Sequence, residues 1–176
     1  PAMSGTKIRN NVSPMYWGQR INQPKKIQTL NVKSITLDEF LKKNKIEPDF
    51  IKLDTEGSEY EILKNSKKIF KTLLGVRCEV SFLNIFKGEE KHGSFSNLHK
   101  LFVDNGFTLL NLDYDGKADY FSDLISPNEK YGMLQSCDAV WIKDPTKNLK
   151  IFTAEEILKL SCFLFLNNAP DIAIWI

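Results

Sequence analysis

Apolar and polar positions change their spacing several times along this chain, and each change predicts an element. Phe50, Ile51 and Leu53 form a short apolar run that predicts a strand. Asp54, Thr55, Glu56 and Gly57 break it as an acidic turn, and helical spacing follows, with Ile62, Leu63, Ser66, Ile69 and Phe70 on one stripe. Ser58 with Glu61 three residues later predicts a capping box at the helix start. Glu56, Glu59 and Glu61 lie at its front and Lys64, Lys67 and Lys68 toward its end, the order that a helix dipole favours. Residues 49–63 therefore read as a strand–turn–helix unit with carboxylates at the strand's carboxyl end, where open α/β sheets bind ligands.

The flanking pattern extends the same alternation. Thr36 and Glu39 predict a second capping box opening a helix over 37–43, and Pro48 marks the break before the strand. Val76, Cys78, Val80 and Phe82 alternate with Arg77, Glu79 and Ser81, the period of a strand with unlike faces. Phe95, Leu98, Leu101 and Phe102 mark a helix that Gly106 closes. Residues 107–114 and 137–143 read as an antiparallel pair, with a turn at Asp115-Gly116 and a long loop over 117–136. Thr153 and Glu156 predict a third capping box, opening a helix over 154–166. The tail from Ala169 to Ile176 is apolar and is expected to pack on the sheet or on a partner subunit, with self-association as one outcome. The N-terminal stretch is polar, with one expected strand at 27–32. The fold class expected is α/β, mostly parallel with an antiparallel edge hairpin.

The run DFIKLDTEGSEYEILKN resembles the signature of the FkbM family of S-adenosylmethionine-dependent methyltransferases, Ile-Lys-[Ile/Leu]-Asp-x-Glu-Gly-x-Glu. SITLDEFL upstream and RCEVSF downstream sit where that family places a helix start and a strand ending near a glutamate, so the likeness covers residues 30–143. Ala2-Met3-Ser4-Gly5 is similar to a run that follows the family's third strand. The resemblance implies a Rossmann-like class I methyltransferase sheet lacking its first strands, with S-adenosylmethionine as cofactor. It implies methyl transfer to a hydroxyl of a sugar or small metabolite, with Asp54, Thr55, Glu56 and Gly57 at the cofactor. It divides the chain into an N-terminal region 1–33, a partial methyltransferase core 34–144 and a C-terminal appendage 145–176. The glycines stand singly, so the glycine-rich turn that lets backbone approach a nucleotide is missing. That gap keeps a second class of function open, a non-catalytic methyltransferase-like module that acts by protein–protein association.

Composition narrows the picture further. A chain of 176 residues, 42% hydrophobic and 26% charged, supports one soluble domain. A net charge of +2 with scattered lysine pairs makes no basic stripe for nucleic acid. Cys78, Cys137 and Cys162 lie far apart with no CxxC, which argues against zinc and disulfides and for the cytoplasm. No apolar run is long enough for a membrane span.

Asp54 and Glu56 are the candidate catalytic residues: acids there can hold a cationic sulfonium, orient a hydroxyl or act as general base. They can equally be helix-front acids that satisfy backbone amides. His92, in the polar loop 83–94, is a third candidate that could take a proton near neutral pH, against the plainer reading of a surface histidine. His99 falls on the apolar stripe and reads as packing, and Cys78 reads as core filler. Lys52 inside an apolar strand is expected to pair with Glu79 on the next strand, both supporting the acids from behind. Asp54, Glu56 and Glu59 lack the further oxygen ligands of a calcium loop, and no metal is expected.

Overall fold

The computed structural model describes residues 30–83, 95–118 and 133–176. The described elements are α1 (Leu37–Asn44), β1 (Phe50–Leu53), α2 (Glu59–Lys64), β2 (Gly75–Ser81), α3 (Phe95–Asp104), β3 (Phe107–Ala118), β4 (Met133–Lys143), α4 (Ala154–Leu166) and α5 (Pro170–Trp175). Single 3₁₀ turns stand at Ile69–Lys71 and Leu149–Ile151.

The four strands form one sheet in the order β1-β2-β4-β3. β1 and β2 are parallel, with Leu53 opposite Cys78, while β2–β4 and β4–β3 are antiparallel. The described sheet is therefore mixed, with one parallel pair and the expected antiparallel hairpin at its edge; β1, β2 and β3 run one way and β4 alone runs the other. The cause is the hairpin: β4 folds back between β2 and β3 and brings opposite chain direction to both neighbours. β3 also runs through Asp115-Gly116 instead of turning there. The ladder shifts register between Asp113 and Gly116, an irregularity that takes up the extra chain without ending the strand. The strands consume both ends of the expected loop over 117–136. Residues 30–32, the described part of the strand expected at 27–32, carry no strand, and Leu30 and Val32 are exposed.

Alternation along the strands divides the apolar side chains between two faces. Leu53, Val76, Cys78, Val80, Cys137, Ala139 and Trp141 join Leu63, Leu98 and Phe102 on the face covered by α2 and α3. Trp141 is the largest fully buried side chain among the described residues; Phe102 lies 4.4 Å from it between ring centres, and the Trp141 indole N–H donates to His99 Nδ1 at 3.3 Å. His99 is thus the packing histidine that its spacing implies. The expected single helical stripe breaks into α2 and the turn at Ile69–Lys71, yet Leu63, Ser66, Ile69 and Phe70 are all buried.

The opposite face is apolar at one end only. Phe50, Leu74, Leu110 and Ile142 meet Leu160, Phe163 and Leu164 of α4 and Ala169 and Ala173 around α5. Phe163 stacks on Phe50 with ring centres 4.5 Å apart and lies flat over Gly75, where a Cβ would come within 2.7 Å of its ring. Residues 154–166 form the expected helix, with the Thr153–Glu156 capping box in place, as is the Thr36–Glu39 box before α1. Ala173 buries itself while Ile174 and Trp175 stay exposed, so the apolar tail is half packed. Among the described residues, no helix is long and apolar enough to cross a membrane.

Candidate active site

At the carboxyl end of β1 the chain makes a five-residue turn before α2, and its shape is unusual. Glu56 is left-handed at φ 56° and Gly57 follows at φ 97°. Glycine adopts such values freely; a glutamate does so only where its neighbours hold it. Glu59 lies inside the turn, buried to 2% exposure. Its Oε1 accepts from the Thr55 N–H at 2.6 Å and from the Thr55 hydroxyl at 2.8 Å, and its Oε2 accepts from the Gly57 N–H at 3.0 Å.

Ser58 does not cap α2 with its side chain, which corrects the expected Ser58–Glu61 box. Its hydroxyl instead donates to Thr55 Oγ1 at 2.9 Å, and Glu61 pairs with Lys64 at 2.6 Å. The Ser58 backbone lies at φ −108°, ψ 6°, away from the extended conformation of the two capping threonines.

The turn brings Asp54 and Glu56 beside Glu79 of β2, and one oxygen of each carboxylate lies within 4.8 Å of the others. Asp54 is exposed, and the other two are half-buried. Burial pushes the Glu79 pKa up to about 7, and the carboxylates of Glu56, Asp54, Glu59 and Asp138 push it the same way. Three such oxygens could approach a cation, but a hard cation takes six or more. The third member is Glu79 rather than the Glu59 considered from spacing alone.

Lys52 and Glu79 do not pair. Lys52 is exposed and reaches Asp54 at 3.3 Å, because alternation turns it to the face that α4 leaves open at this end. It stands opposite Arg77, whose guanidinium points away. Arg77 donates through Nε to Asp138 and through Nη2 to Asp113, both at 2.7 Å, and through Nη1 to Asn167 Oδ1 at 3.2 Å. Three strands and the end of α4 are tied by that one side chain.

The cysteines carry no chemistry at this site. Burial pushes the Cys78 thiol well up and that of Cys137 up to about 12, so neither offers a thiolate at neutral pH. All three cysteines are free. His92 and the run Ala2-Met3-Ser4-Gly5 lie outside the described residues.

Asp54, Thr55, Glu56 and Gly57 form the turn itself. The geometry adds Glu59 as the group inside the turn and Glu79 as a full member of the acidic cluster. A sign of the second was present in the sequence: alternation puts Glu79 on the polar face of its strand, close to that strand's carboxyl end. For Glu59 the sign was weaker, an acid two residues after a glycine at a helix start.

Residues 5–109 match the model of the methyltransferase FkbM domain. No curated protein and no solved structure matched the chain.

Proposed function

Because this chain belongs to the FkbM methyltransferase family, we propose that it transfers a methyl group from S-adenosylmethionine to a hydroxyl of a sugar or small metabolite at the acidic turn. The observation that carries the reading is the convergence of Asp54, Glu56 and Glu79, with oxygens within 4.8 Å, at the carboxyl ends of the only parallel pair among the described strands. When bound, S-adenosylmethionine supplies an electrophilic methyl on a cationic sulfur. The acidic cluster fits that positive charge. Among the described residues there is no glycine-rich strand–turn–helix segment for the nucleoside.

The division of labour follows from the surroundings of each acid. Asp54 and Glu56 offset cationic charge, and Thr55 and Gly57 shape the turn that presents them. Glu79, with a pKa near 7, is poised to take the acceptor hydroxyl's proton at neutral pH. His92 is a second candidate for that proton. The carrying principle is alignment of donor and acceptor, with proton removal added to it.

We read the sheet as part of a Rossmann-like class I sheet, supported by the helix-linked parallel pair and the hairpin beside it. The free cysteines suit a reducing, cytoplasmic setting. Self-association through the exposed Ile174 and Trp175 belongs to the same reading. A dimer in sedimentation that Trp175→Glu dissolves supports it; a monomeric parent chain removes it.

Calorimetric titration of the intact protein with S-adenosylmethionine tests the core of the reading. Micromolar binding that Asp54→Asn weakens at least about tenfold, with melting unchanged, is the expected result. No binding by the intact protein overturns it in favour of a non-catalytic module.

A further inference from the structure

We propose that Glu59 is the positioning residue of this site: its buried carboxylate sets the turn conformation that aims Glu56 at Asp54 and Glu79. The inference rests on the methyltransferase reading for its consequence, but its geometry stands apart from that reading.

Three observations carry it. Glu56 is the left-handed residue, and the amides on either side of it, Thr55 N–H and Gly57 N–H, both donate to the one Glu59 carboxylate. With the Asp54–Thr55 and Glu56–Gly57 peptide groups both anchored to a single carboxylate, the backbone between them is confined, and with it the direction in which the Glu56 Cα–Cβ bond leaves the chain. The Thr55 hydroxyl donates to the same Oε1 and accepts from Ser58, which closes the loop onto the first residues of α2. α2 has only six residues and makes no side-chain cap at Ser58, so the helix is a poor candidate for holding the turn unaided. Glu59 itself stands outside the acidic cluster, whose members are Asp54, Glu56 and Glu79. It acts through Glu56.

Both oxygens of Glu59 act as acceptors. In Glu59→Gln one of them becomes an N–H₂ group that faces a backbone donor and can accept nothing. The side chain keeps its volume, and the site loses its anchor on one flank of Glu56. Glu59→Asp keeps two acceptors but draws them back by one methylene, a milder disturbance for use where the glutamine variant does not fold.

Two measurements on the intact protein test the assignment. In nuclear magnetic resonance amide exchange, Thr55 and Gly57 should be protected, and either variant should speed their exchange roughly tenfold or more while β2 and β4 keep theirs. Unchanged exchange at those two amides overturns the proposal, whatever the protein binds. In S-adenosylmethionine titrations, Glu59→Gln should weaken binding roughly 10- to 100-fold. In a Glu56→Gln background the same change should cost little, because the group it positions is already gone. An equal loss in both backgrounds shows a general structural role and also overturns it. If the parent protein binds no S-adenosylmethionine, the methyltransferase reading falls, and amide exchange alone decides whether Glu59 holds the turn.

Discussion

Glu79 shows how a single side chain can make stability depend on pH. Loss of hydration is the largest cause of its rise from an ordinary 4.5 to about 7, and Glu56, Asp54, Glu59 and Asp138 add to it. Below 4.5 the carboxyl is protonated in folded and unfolded chains alike. Between 4.5 and about 7 only the unfolded chain sheds the proton, so this residue's contribution to stability falls as pH rises through that window. Glu79→Gln should therefore melt higher than the parent above pH 7, with the gain vanishing toward pH 4.5. Thermal melts across that range check it, and a gain independent of pH would show that ionisation is not the cause. Residue identities that depend on alternation were readable in advance: Cys78 fills the core because its neighbours alternate with it. Lys52 departs from its expected pairing because an apolar strand suggests burial on both faces, whereas one face is open at that end. The left-handed Glu56 left no trace in the sequence, since its conformation is imposed by hydrogen bonds from residues on either side.

At the scale of elements, helix starts separate what side-chain order can specify from what the tertiary setting decides. Thr36 and Thr153 accept from the amides of Glu39 and Glu156, as the Thr-x-x-Glu spacing implies. Thr153→Ala should cost about 1 kcal/mol, visible as a lower midpoint in urea with an unchanged slope. Ser58 has the same spacing to Glu61 but donates to Thr55 instead, because the turn holds its backbone at φ −108°, ψ 6° rather than in the extended conformation of Thr36 and Thr153. Ser58→Ala should therefore cost less than Thr153→Ala in the same assay, and a larger cost would restore the serine as a cap. Gly75 makes a third element-level case. No turn or positive φ requires it; the ring of Phe163 does. Gly75→Ala should push α4 from the sheet and destabilise the fold by about 1–3 kcal/mol. Pairing it with Phe163→Leu should recover part of the loss, and no recovery would mean that the contact is not the cause. A pattern of strands and helices cannot reveal such contacts, since α4 lies some eighty positions away in sequence.

For the whole molecule, the sequence indicated a hairpin at the edge of the sheet, where it lies, but not which of its strands faces inward. Alternating elements suggest parallel neighbours; the chain instead folds β4 in against β2, and two of the three strand pairs become antiparallel. That arrangement sets Asp113 directly opposite Asp138, a like-charged pair that is unfavourable by itself. Arg77 resolves it by donating to both and to Asn167, and the guanidinium is held more firmly protonated by those hydrogen bonds. Arg77→Met should lower stability by about 1–3 kcal/mol, and the deficit should shrink as salt screens the two aspartates. A deficit that ignores salt in chemical unfolding would point to lost packing alone. The contact of Gly75 with Phe163 and the acidic cluster at Glu79 lie on one strand, four residues or about 13 Å apart. Substitutions that refit the C-terminal helices to the sheet therefore need not touch the carboxylates, and the two ends can accumulate change at different rates: descendants could trade one C-terminal cover for another and inherit the acidic turn intact.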